Sequence, residues 1–452
     1  MATPVGRTGR EMTANAASTH ARRDAPLPWR LRAIYVAIGL STASVAPFVP
    51  VILKGRGLDP AAIGLVAALG ALASTVIVPA WGHLSDSLLG RARAFRIGLL
   101  VAAGISAALL FQPPLWAAAA MFATFTVFAT MFIALADAQA VIDLPAPERQ
   151  YGALRAHASL AFTVGIIAVG FVYSWGGYGI APGFFLICVG TLLLLVGRIK
   201  GRAPARSGRA TSLEGTRAGA GAGVTGAQNG VSNEAEREPR FGSLGRAFAV
   251  QPRLWLLLAV FTFAYVGVQG AMTFVGVRIV DVGGKPSDVA LSFGLSSAGE
   301  IPGLLGAGWL GRRIGLRWLF GASTVVYGLF ILSWGILPYA LAISATRLAT
   351  GVCSGPLMAA RVLIVRRLLP GSLQVTGQVL FQSATMGIGT ILGSVVGGVV
   401  YASFGPTFFF LAAGAVAIAG GIAAWFFLAG PVGARLTSRG ADQVDLDELT
   451  IP

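Results

Sequence analysis

Charge is scarce in this chain of 452 residues. Asp, Glu, Lys and Arg together make up 12% of it, and lysine occurs only at Lys54, Lys200 and Lys285. Ordinary soluble domains carry about 25% charged residues, so a water-soluble globule is excluded. Cysteine is scarcer still. Cys188 and Cys353 each lie inside an apolar run with no C-x-x-C spacing, which excludes a disulfide framework and a thiolate metal site; they read as small buried hydrophobes. No H-E-x-x-H, phosphate-binding P-loop or Ser-His-Asp arrangement occurs, so neither fuel hydrolysis nor another enzymatic activity is expected, and no cofactor or metal is implied. The start of the chain has Arg22 and Arg23 followed by DAPLPWR rather than a short apolar core with a cleavage site, and residues 1–30 read as a disordered cytoplasmic tail.

What the chain has in quantity is apolar sequence: 55% hydrophobic residues, 61 glycines and a mean hydropathy of +0.75. A membrane-spanning helix with its short loop takes about 25 to 30 residues, and apolar runs of that length recur twelve times. Six fall within residues 31–197 and six within 254–429. Between them, residues 198–253 are basic and contain the low-complexity stretch GAGAGVTGAQNG, which cannot bury enough apolar surface to fold. They read as a cytoplasmic linker, and residues 430–452 as a second tail. The expected fold is therefore an all-α membrane protein of twelve transmembrane helices in two six-helix halves.

The net charge of +16 would suit nucleic acid if position were ignored. Position gives a different answer. With both termini inside, the tails, the linker and the even-numbered loops hold nearly all of the 34 Lys and Arg. Only Lys54, Arg56, Arg278 and Lys285 fall on the other side, and Arg347 lies within a span. Basic residues resist translocation, so the expectation is a multi-pass protein of the bacterial inner membrane with both termini cytoplasmic, surrounded by lipid and not bound to nucleic acid.

The halves echo each other. GHLSDSLLGRAR (Gly82 to Arg93) follows the second span and GWLGRRIGLR (Gly308 to Arg317) the eighth, half a chain apart, as a duplicated six-span unit would place them. Together with the long central basic loop, this pattern resembles the major facilitator superfamily of secondary transporters over about residues 30–430. Three further segments resemble its phenylpropionate-permease-like and lactose-permease-like proton symporters: YGALRAHASLAF (Tyr151 to Phe162), AGEIPG (Ala298 to Gly303) and LLPGSLQVTGQ (Leu368 to Gln378). The chain departs from the family pattern at Ser87, where a basic residue is usual, at Arg312, where an acid would stand, and at His157, Ala158 and Arg347. Arg347 occupies a position where glutamine is more common. The resemblance implies a cytoplasmic gate formed by Gly82, Asp86, Gly90, Arg91 and Arg93. It also implies a cavity lined by Tyr35, Tyr265, Gln269 and Gln382, side chains that equally suit hydrogen bonds between helices.

Charged residues within spans point to chemistry independently. An ionised acid at the bilayer centre costs about 2.5 to 3.5 kcal/mol on insertion scales, so acids kept there usually pair or take up protons. Asp137 and Arg155 are equidistant from Ala146 in the turn between spans four and five. On antiparallel neighbours that puts them at one depth, as a charge pair that is either a structural clamp or a substrate contact. Glu300 lies about 18 Å of helix in from Asp288, near the midplane among small residues, and suits a proton carrier. Arg347 on span ten is its expected counter-ion, and Arg155 and Arg347 would also suit a substrate charge.

The functional expectation is a monomeric secondary transporter taking up a small organic solute, a carboxylate, sugar or nucleoside, with protons by alternating access. Two alternatives stand beside it: proton-coupled efflux on the same fold, and a non-transporting assembly factor or sensor.

Overall fold

The computed structural model describes residues 27–144, 147–196, 241–370 and 373–429, and every regular element among them is helical. Of the expected tails only residues 27–30 are described, and residues 198–240 of the expected linker lie outside the described residues. Ten helical runs are long and apolar enough to cross a bilayer. These are α1 Trp29–Gly55, α2 Pro60–Leu84, α3 Arg91–Leu110, α4 Leu115–Asp143, α5 Pro147–Gly176 and α6 Ala181–Val196, then α7 Leu254–Asp281, α8 Pro286–Ile336, α9 Ala340–Leu368 and α10 Thr376–Ala429.

In lipid every backbone N–H must find a partner within the chain, which makes an apolar run helical. The helix starts follow from the loop residues. Asp59 accepts a hydrogen bond from the Ala61 N–H ahead of Pro60, and Asp288 accepts one from the Lys285 N–H at 2.8 Å beside Pro286. Both use the first-turn donors that a helix leaves unpaired.

Two runs are far longer than a span: α8 has 51 residues and α10 has 54. Each breaks at a glycine with left-handed φ, Gly315 at 79° and Gly405 at 81°, a conformation that a side chain disfavours. Both runs are hairpins. Ser344 of α9 donates to the Asp288 carbonyl near the start of α8, and Thr346 accepts from Trp334 Nε1 near its end, each at 2.9 Å. The two ends of α8 therefore lie side by side. Likewise Gly270 of α7 meets Gly393 and Gly267 meets Ala417, one from each arm of α10.

The first arm of α8 packs on α9 through Gly299 and Gly303 on one side and Gly351 and Gly355 on the other. A Cβ at Gly355 would run into the backbone of Gly303 and Leu304. Small residues four apart on both helices let the backbones touch, the usual way to gain packing energy where lipid provides no hydrophobic drive.

One expectation is corrected. Residues 241–250, assigned to the linker, form a helix, Phe241–Val250, whose Ala247 is fully buried and whose Phe248 packs on the core. Its apolar residues recur at helical spacing, a signal that the basic, glycine-rich context obscures.

The N-terminal helices α1–α6 and the C-terminal helices α7–α10 are tied together at the end of the bundle bearing loop 56–59. There Lys54 pairs with Asp281, the Ser287 N–H donates to Ser174 Oγ at 3.0 Å, Gly64 abuts Ser394, and Gly170 abuts Ala290. Thr163 Oγ1 donates to Ser297 Oγ at 2.8 Å further in. Deeper in the bundle Gly387 of α10 also approaches Thr75 of α2.

Candidate functional site

On the N-terminal side, Asp137 of α4 gathers two donors. Arg155 Nη1 of α5 approaches its Oδ2 at 2.9 Å, and Tyr35 of α1 donates to its Oδ1 at 2.5 Å. Tyr151, one helical turn before Arg155, faces the same carboxylate. Asp137 and Arg155 therefore lie at one depth, as expected from their positions on consecutive helices. Tyr35 is fully buried, while the Asp137 and Arg155 side chains are 26% and 43% exposed. The pair is thus held from one side and accessible from the other. A carboxylate with two ionic or hydrogen-bonding partners is satisfied as an anion, and a solute or proton must compete with those partners to engage it.

On the C-terminal side, Glu300 lies part-buried in the first arm of α8. Its expected partner is corrected here. Among the described residues the charge that bears on Glu300 is Arg361, not Arg347. Arg361 of α9 is buried, donates to Thr385 Oγ1 of α10 at 3.3 Å, and lies 5.5 Å over the Tyr265 ring of α7. Thr385 belongs to a widened π-helical turn, Ser383–Ile388, a deviation common near functional sites. Arg361 is not among the residues expected from the sequence, although the apolar VLIV that follows it carries α9 on as a helix to Leu368.

The two clusters are built alike. Tyr35 and Tyr265 come from the first helix on each side, Asp137 and Arg361 from the fourth when the arms of α8 are counted singly, and Arg155 and Thr385 from the fifth. The same scaffold carries an acid on one side and a base on the other.

Arg347 lies elsewhere. It is fully buried among α7, both arms of α8 and α9, bonded to Met272, Tyr327 and Thr350. Tyr265, expected in the cavity lining, is only 4% exposed beneath Arg361. Gln269 donates to Thr390 at 2.9 Å between α7 and α10 and so serves helix packing, whereas Gln382 is exposed. In the expected gate, Gly90 adopts φ 75° before α3, Gly82 and Arg91 border a small cavity with Trp81 and Met131, and Arg93 is exposed. The side chain of Asp86 is outside the described residues.

The model of the MFS_1 like family matches residues 28–412. A maltose permease from Geobacillus stearothermophilus is 24% identical over 373 residues, covering 80% of this chain and 85% of the permease. Among solved structures, the nucleoside transporter NupG superposes with a TM-score of 0.68 at 15% identity, covering 88% of this chain and 98% of NupG. The POT family transporter PepTSo superposes with a TM-score of 0.65 at 10% identity, covering 93% and 100%.

Proposed function

We propose, from the premise that the chain belongs to the MFS_1 like family, that it imports a neutral, hydrogen-bonding solute together with protons. It is a multi-pass membrane transporter of the fold that its relatives share. The solute class we favour is a sugar or nucleoside. The observation that carries this reading is charge balance: the accessible base Arg155 is already paired with Asp137, and Arg361 feels the charge of Glu300 without a direct ion pair between them. An anionic solute would have to displace an internal acid, whereas hydroxyl groups can share the existing donors and acceptors. The maltose permease and NupG are named for solutes of that neutral class.

In this reading each hairpin supplies two crossings, which brings the total to twelve, six on each side of residues 197–240. Both chain ends are cytoplasmic in an inner membrane, as the distribution of basic residues favours. One chain is a complete transport unit. The end closed by Lys54 and Asp281 then faces outward, and its closure belongs to the inward-open state of the cycle. Transport follows when the closed end separates and the opposite end closes around Asp137–Arg155 and Glu300–Arg361. Glu300, part-buried and within the electrostatic reach of Arg361, carries the proton.

The test is a panel of sugars, nucleosides and carboxylates scored by melting shift on purified protein, followed by uptake of the hits into liposomes under an imposed pH gradient. A neutral hit accumulated against its gradient supports the reading. A hit list confined to carboxylates overturns the solute class, and accumulation unaffected by collapsing the pH gradient overturns the coupling. Failure of every solute in both assays favours the non-transporting alternative.

A further inference from the structure

We propose that Arg347 and Ser292 form a binding site for a small carboxylate anion, buried within the C-terminal helices and separate from the solute cleft. Arg347 is 0% exposed, and no carboxylate among the described residues pairs with it. Leaving a buried cation without an opposite charge is costly, so its surroundings are informative. One end of the guanidinium is fully used: Nη1 lies 3.0 Å from Met272 Sδ, 3.2 Å from Tyr327 Oη and 3.2 Å from Thr350 Oγ1. The other edge is different. Nε and Nη2 are both buried and have no partner among the described residues. Those two atoms carry the parallel N–H groups that grip a carboxylate with two bonds at once.

The guanidinium itself is held in place. It lies over the rings of Trp334 and Phe293, 5.3 and 5.5 Å from its carbon, contacts that favour a cation. Trp334 is itself held, because its Nε1 donates to Thr346 and Arg278 donates to the carbonyls of Trp334 and Gly335. A second polar group is Ser292 Oγ, also buried and also without a partner among the described residues. Its position follows from the register of α8 on α9. Asp288, one turn before it, receives the Ser344 hydroxyl, and Ser296, one turn after it, abuts Gly351. Ser292 therefore faces the turn of α9 that carries Arg347. Two parallel donors, a hydroxyl and an apolar box select a small planar oxyanion over a spherical ion.

The ligand is a free carboxylate rather than a group on the cargo, and the site stands whatever solute is transported. The experiment measures melting of the purified full chain in sodium formate, acetate, chloride or isethionate at constant ionic strength. Formate and acetate are expected to raise the melting temperature with saturation, and chloride and isethionate are not. Arg347→Lys, which keeps the charge but lacks the fork, should lose the formate effect while remaining folded; Ser292→Ala should weaken the apparent affinity. A formate shift absent in the parent chain, equal in Arg347→Lys, or matched by chloride overturns the proposal. Repeating the titration with a saturating solute from the uptake panel separates the sources: additive shifts support a distinct site, and mutual exclusion shows that the solute itself occupies it.

Discussion

Lys54, at the end of α1, forms an ion pair with Asp281, at the end of α7, and Tyr401 of α10 donates to the other oxygen of the same carboxylate. One acid thus ties two C-terminal helices to the N-terminal side at the closed end. A partly exposed pair contributes only about 0.2 to 1 kcal/mol, so it can bias a conformational equilibrium without locking it. Replacing Lys54 by Ala is expected to change global stability by less than about 1 kcal/mol and to open the closed end more often. Cysteines introduced at Ser174 and Ser287, whose contact bridges the same end, provide the measurement. They should cross-link readily in the parent chain, with transport blocked until reduction, and less readily with Lys54→Ala. An unchanged cross-linking rate would argue against the ion pair as part of the closure.

Arg155→Ala is expected to abolish solute-induced thermal stabilisation, because it leaves Asp137 with tyrosine hydroxyls but no cation. Tyr35→Phe removes a hydrogen bond to a charged group and should cost about 1.5 to 3 kcal/mol at most, with binding weakened but retained. Melting curves with and without solute separate the two. Full stabilisation of Arg155→Ala by solute would make the pair a structural clamp.

Glu300→Gln should leave the protein in the membrane and still able to exchange solute down its gradient, while accumulation no longer responds to pH. Counterflow and pH-driven uptake in the same liposomes distinguish these outcomes. Proton-driven accumulation that persists in Glu300→Gln would remove Glu300 from the coupling step.

Gly355→Val adds a side chain where α8 and α9 touch backbone to backbone. Overpacking typically costs about 1 to 3 kcal/mol, and here the obstacle is main chain that cannot rotate away, so the upper end is expected. Gly306→Val, on the same arm of α8 with open space at its Cβ, is the control. Equal melting temperatures for the two variants would contradict the close approach.

The Asp137–Arg155 contact is legible in the sequence because a single short turn joins its two helices, so counting residues from the turn measures depth on both. Arg361 is not legible in this way. Its neighbours Tyr265, Glu300 and Thr385 lie on three other helices. Arg347 shows the same limit from the other direction. Its burial was evident, but pairing it with Glu300 required a relation between α8 and α9 that their lengths do not determine, and the packing of Gly299 and Gly303 against Gly351 and Gly355 directs Arg347 toward Tyr327 instead.

The sequence by itself determined that the chain lives in a membrane, that it is helical, and that few charges would be carried inside it. Those outcomes follow from local transfer energetics, summed residue by residue along each run. Which charges meet, which end of the bundle is closed, and that Arg347 keeps one edge free of partners among the described residues were decided only by tertiary structure. Contacts between helices distant in the chain depend on how side chains interlock across surfaces, and no property of a single run encodes them.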